Sequence, residues 1–91
     1  MRKEPSGADR FLGLVASAQD RDSELTSIQA GLLVAAELGI AFDSRTFARM
    51  LGIAHALVLR ELSALTVRDD KLEIVRRDPR TMRVHYRLAA R

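Results

Sequence analysis

Six arginines, Arg76, Arg77, Arg80, Arg83, Arg87 and Arg91, fall in the last sixteen residues of this 91-residue chain, against one acid, Asp78. Guanidinium groups are permanent cations whose forked donors match phosphate oxygens. The charge is uneven: residues 1–59 hold six Arg and Lys against seven Asp and Glu, and residues 60–91 hold nine against five. A basic segment on a near-neutral domain points to a polyanion partner. A solvated tail that keeps the chain in solution accounts for the charge equally well. Other reactive groups are sparse. There is no Cys, and His55 and His85 stand thirty positions apart with no ligand cluster around them, so no metal site is expected. Asp20, Asp22 and Glu24 read as a solvated linker, and Asp69 and Asp70 as a turn. No glycine-rich phosphate loop or nucleophile–base pair is legible, so neither catalytic residues nor a cofactor are predicted and the chain is not expected to be an enzyme.

The elements that carry these residues follow from periodicity. Residues 1–7 read as a polar, frayed tail, and residues 8–91 as one domain. Phe11, Leu14, Val15 and Ala18 recur at helical spacing and predict a helix from Ala8 to about Asp22, with Asp9 in its first turn. Thr26 and Gln29 form a capping box that opens a second helix, which Gly39 should close. Ile40-Ala41-Phe42 suits a stub of strand. Asp43 or Ser44 caps a third helix over about Arg45 to Leu51, with Phe47, Met50 and Leu51 as its apolar face. Gly52 ends it. After Gly52-Ile53-Ala54 a fourth helix runs from near His55 to near Val67, with Val58, Leu62 and Leu65 on one face. Beyond the turn at Asp69-Asp70-Lys71 the period becomes two. Leu72 and Ile74, then Met82, Val84, Tyr86 and Leu88, mark two strands of a hairpin around Asp78-Pro79-Arg80-Thr81. His85 and Tyr86 read as strand residues, one exposed and one packed. The fold class is therefore α+β: a mainly helical winged helix-turn-helix with a C-terminal two-stranded hairpin as its wing.

Residues 25–88 resemble the DNA-binding part of the MarR family of bacterial transcription regulators. Four segments carry the likeness: Leu25-Thr26-x-x-Gln29-x-x-x-Leu33, Phe47-Ala48-Arg49-Met50-Leu51-Gly52-Ile53, Val58-x-Arg60-x-Leu62-x-x-Leu65, and Asp78-Pro79-Arg80. The resemblance implies a cytoplasmic, sequence-specific regulator of double-stranded DNA, most simply a repressor that occupies a promoter as a homodimer. It implies a recognition helix in the major groove, with His55, Ala56, Leu59, Arg60 and Ser63 toward base edges, and Ser44 and Arg45 at the start of the preceding helix. Arg76, Arg77, Arg80 and Arg83 would lie along the phosphates, Arg80 entering a minor groove with Asp78 orienting its guanidinium. His55 near a helix start serves equally well as a capping residue.

The sequence departs from the family pattern at Ala54, where Ser or Thr usually caps the recognition helix, and at Leu57 and Leu59, which replace small polar residues. The family's long terminal helices build its dimer and a ligand pocket; only the helix at 8–22 is expected to serve as a dimer element here, and no small-molecule effector is inferred. A chain this short buries about 60–65% of its unfolded surface, and oligomerisation is an expected further source of stability, with helix 8–22 as its element. No apolar run reaches the ~18 residues of a membrane span, and cytoplasm is the default expectation. The rival reading is a winged helix that binds a protein partner, to which Leu57 and Leu59 on an exposed part of the fourth helix would be suited.

Overall fold

In a computed structural model, residues 7–68 and 71–89 are described. They form α1 (Gly7–Arg21), α2 (Ser27–Glu37), α3 (Ser44–Leu51), α4 (His55–Arg68), β1 (Leu72–Arg77) and β2 (Val84–Leu88), a mainly helical α+β chain with one antiparallel hairpin. The expected tail falls almost wholly on residues 1–6, and the Asp69-Asp70 turn likewise lies outside the described residues. Gly7, read as tail, opens α1.

The second helix is the centre. Its residues 29–36 are all buried, so it has no polar face and must be covered from every direction. Helix α1 covers it with Val15 and Ala18, flanked by half-buried Phe11 and Leu14. Helix α4 adds Val58, Leu62 and Leu65, and the hairpin adds Leu72, Val84 and Tyr86. Helix α3 contributes Phe47, whose ring closes on Gly31: a Cβ at that position would stand 3.2 Å from Phe47 Cζ and 3.6 Å from Phe11 Cζ.

Helix boundaries follow local chemistry. The Thr26 hydroxyl accepts the Gln29 N–H at 3.1 Å, and the Gln29 amide oxygen accepts the Thr26 N–H at 3.1 Å, completing the capping box. Helix α2 closes on left-handed Gly39, with the Ile40 N–H returning to the Ala35 carbonyl at 2.8 Å. Helix α3 closes the same way on Gly52, with Ile53 returning to Ala48 at 3.1 Å.

Four local expectations are corrected. The strand stub at 40–42 does not form; the third run of backbone meets the sheet one residue later, where Asp43 bridges His85 and the Tyr86 N–H donates to the Phe42 carbonyl at 3.0 Å. Met50 and Leu51 are exposed, and the buried face of α3 is Ser44, Phe47 and Ala48. Met82 is not a strand residue. It sits in the loop with φ 62°, its N–H on the Asp78 carbonyl at 2.8 Å. A bulge between Ile74 and Arg76 also interrupts the alternation of β1.

Tyr86 is buried, yet its hydroxyl finds no hydrogen-bond partner among the described residues. Burial pushes its ionisation far above the ordinary range. An unsatisfied buried hydroxyl costs about 1–3 kcal/mol, so Tyr86→Phe should leave stability unchanged or raise it by up to roughly that amount. Urea unfolding of the two proteins measures this. A loss beyond about 1 kcal/mol would mean that the hydroxyl is bonded in solution.

Candidate nucleic-acid interface

Helices α3 and α4 and the start of β2 meet at two adjacent polar residues, Asp43 and Ser44. Asp43 caps α3, with its Oδ1 accepting the Thr46 N–H at 2.8 Å and its Oδ2 accepting the Thr46 hydroxyl at 2.7 Å. The same carboxylate faces Arg83 Nε of the hairpin loop at 3.6 Å. Burial opposes its ionisation, but the two Thr46 donors, Arg83 and His85 outweigh burial and hold the Asp43 carboxyl below its ordinary 3.8.

Ser44 has no exposed surface. Its hydroxyl oxygen accepts the Val84 N–H at 2.9 Å and lies 2.7 Å from His55 Nε2. The fold thus assembles a serine–histidine pair that is illegible in the sequence, because eleven positions separate the two residues. It is not built as a nucleophile. One lone pair of the oxygen is occupied, and a substrate has no route to a residue with 0% exposure. Partial burial holds His55 below its ordinary 6.5, helped by the cations of Arg45 and Arg83 and opposed by Asp43.

Between α4 and the hairpin lies an open groove of about 470 Å³, with Leu59 and Ser63 on one wall and Arg77, Asp78, Pro79, Met82 and Val84 on the other. Arg45 ties α3 to the loop tip, donating from Nε and Nη2 to the Thr81 carbonyl at 3.0 and 2.6 Å. Asp78 Oδ1 accepts the backbone N–H of Arg80 at 2.9 Å, so it shapes the loop and not the Arg80 guanidinium. That bond, above all, lowers the Asp78 carboxyl from its ordinary value.

The candidate residues divide accordingly. Ala56, Arg60, Ser63, Arg76, Arg77 and Arg80 are exposed. Arg45 is exposed but engaged with Thr81, and Arg76 donates to His85 Nε2 at 3.1 Å. Arg83 is half-buried on Asp43, and His55 half-buried on Ser44. Leu57 and Leu59, expected on an exposed part of α4, are half-buried, with Leu59 packed against the core. Ser44 is removed from any outward face by its burial. Thr81 and Met82 were missed, since nothing local marks a carbonyl that holds an arginine 36 positions away or a left-handed methionine.

Compared with protein-family models, curated proteins and solved structures, the chain gives no significant match. Among the described residues, no helix is long and apolar enough to cross a membrane, and no cluster of His and acidic residues is suited to holding a metal ion.

Asp43→Ala should cost about 1–2 kcal/mol near neutral pH, from the lost cap. Because folding lowers the Asp43 carboxyl, its contribution is fully present above pH 3.8 and fades as pH falls through the lower folded value. The gap between wild type and variant, read by urea unfolding, should therefore narrow in acid. A gap of constant size would show that the charge plays no part.

Proposed function

We propose that this chain is a winged helix-turn-helix protein that binds double-stranded DNA and regulates transcription, with α4 in the major groove and the hairpin as a wing on the backbone. The observation that carries the reading is the groove: Leu59 and Ser63 of α4 face Arg77, Pro79 and Met82 of the hairpin across it. The groove joins Leu59 and Ser63 of α4 to Arg77 of the hairpin, which supports reading the two elements as one contact surface. Arg60 of α4 and Arg77 and Arg80 of the hairpin segment are exposed. An α-helix fits the major groove of B-DNA, and an arginine there donates two hydrogen bonds to guanine. Arginines on an adjoining hairpin suit phosphates and, at the loop tip, the negative potential of a narrow minor groove. The sequence resemblance to MarR regulators over the same elements supports the same reading.

A second reading has one observation in its favour. Leu59, Pro79, Met82 and Val84 make the groove largely apolar, which suits a protein partner.

Selection of bound duplexes from a random library, followed by mobility shift at fixed salt, tests the proposal. Arg60→Ala should reduce discrimination between the selected site and random duplex by about 1–3 kcal/mol. Arg77→Ala should weaken both nearly equally and flatten the salt dependence, because phosphate contacts carry no sequence information directly. If no duplex is retained even at low salt, the DNA reading fails and the protein-partner reading takes its place.

A further inference from the structure

We propose that the Ser44 hydroxyl and the His55 imidazole form a proton-sensitive joint, in which protonation of His55 loosens the start of β2 from the α3–α4 pair. The inference needs no DNA and does not depend on the proposed function.

The geometry is a chain of three elements through one oxygen. Ser44 is the first residue of α3, His55 the first of α4 and Val84 the first of β2. The Val84 N–H donates to Ser44 Oγ at 2.9 Å, and Ser44 Oγ and His55 Nε2 are 2.7 Å apart. The Val84 amide takes one lone pair of Ser44 Oγ, and the Ser44 proton has no acceptor other than His55 Nε2 among the described residues, which assigns it to that nitrogen. That nitrogen must then accept, so the joint requires a neutral imidazole with its proton on Nδ1.

Protonation reverses this arrangement. Both ring nitrogens become donors, and Nε2–H points at an oxygen that already takes the Val84 N–H. The Ser44 proton then needs another acceptor in a site with no exposed surface. The surrounding charges oppose the new cation. Arg45 comes from α3, Arg83 from the hairpin loop, and Asp43, the α3 cap, is the one group that favours it. Asp43 is already engaged by Thr46 and Arg83. The cheapest relief is to give up the Ser44–Val84 bond. The loosening stays local, because the Tyr86 N–H on Phe42 and the Arg45 fork on Thr81 do not involve His55.

The sign follows from linkage. Folding lowers the His55 value, so the joint's contribution is fully present above 6.5 and is lost as pH falls through the lower folded value.

Nuclear magnetic resonance of the full chain tests the joint, following the imidazole and Val84 amide signals from mildly alkaline to mildly acid pH. The Val84 amide should shift with the midpoint of His55, below 6.5. Val84 also neighbours His85, which is 3.1 Å from Arg76, so both histidines are varied in turn. His55→Gln should abolish the Val84 transition and His85→Gln should leave it. Ser44→Ala removes the donor to Nε2 and should raise the His55 midpoint, while burial and the Arg45 and Arg83 cations keep it below 6.5. A Val84 amide that stays flat while His55 titrates in the wild type overturns the proposal without any variant. So does a Val84 transition lost in His85→Gln but kept in His55→Gln, or a His55 midpoint at or above 6.5.

Discussion

A helix that is apolar on every side has to be covered on every side, and α2 sets that demand on everything else in this chain. With residues 29–36 all buried and no disulfide to assist, α1, α3, α4 and the hairpin are each held by what they bury against it. The demand reaches down to single atoms. Gly31 leaves room for the Phe47 ring, and that close approach brings α3, and with it the Gly52 turn and the start of α4, to one position. The long axis of α2 is fixed at its own start by Thr26 and Gln29, which cap the helix. Thr26 also donates from its hydroxyl to the Glu61 carboxylate at 2.9 Å, anchoring α4 from the other side.

Apolar packing sets distances but is indifferent to small rotations, and the polar junction at Asp43 and Ser44 supplies the direction that packing lacks. Hydrogen bonds lose strength steeply with angle. A carboxylate bonded to two donors of Thr46, next to a buried hydroxyl that meets Val84 and His55, orients α3, α4 and β2 together. A buried polar group is costly unless satisfied, and here the cost is met by bonds that cross between elements. Tyr86 is the contrast: its ring fills the core while its hydroxyl is unmatched among the described residues. The core therefore contains both a fully used polar group, the Ser44 hydroxyl, and an idle one, the Tyr86 hydroxyl.

Features encoded within a few residues were legible in the sequence. The Thr26–Gln29 box, the stops at Gly39 and Gly52, and the loop at Asp78-Pro79 all depend on neighbours no more than five positions away. The four helices and the hairpin followed from apolar period. What was not legible depends on partners far along the chain. Ser44 reads as a cap or a DNA contact at the start of α3, whereas in the fold its hydroxyl is buried on Val84, forty positions on. Met50 and Leu51 were placed inward on composition, but Phe47 and Ala48 already fill the space against the core. Met82 was read into β2 by alternation, and the bulge at Val75 together with the loop bonds of Asp78 shows why a strict period of two fails there. Of the candidate surface, the exposed arginines were readable from type and position, while their engagement with carbonyls and acids was not.

That engagement gives the surface its sign. Nearby acids are committed inside the fold: Glu61 to Thr26, Glu73 to Arg87 at 2.6 Å, Asp43 to Thr46 and Arg83, and Asp78 to the backbone of its own loop. Of these carboxylates, Asp43 and Glu73 face a guanidinium, whereas Glu61 and Asp78 are oriented by a hydroxyl and a backbone N–H and keep their charge. Arg83 and Arg87 pair with Asp43 and Glu73, Arg45 and Arg76 bond the Thr81 carbonyl and the His85 ring, and Arg60, Arg77 and Arg80 have neither a side-chain hydrogen bond nor an ion pair among the described residues. Surface ion pairs contribute little to stability, so leaving three guanidinium groups unmatched costs the fold little. What it changes is the potential over α4 and the hairpin: Arg77 lines the groove beside Asp78 and an apolar wall, and Arg60 and Arg80 stand exposed on the two elements whose spacing the Asp43–Ser44 junction fixes.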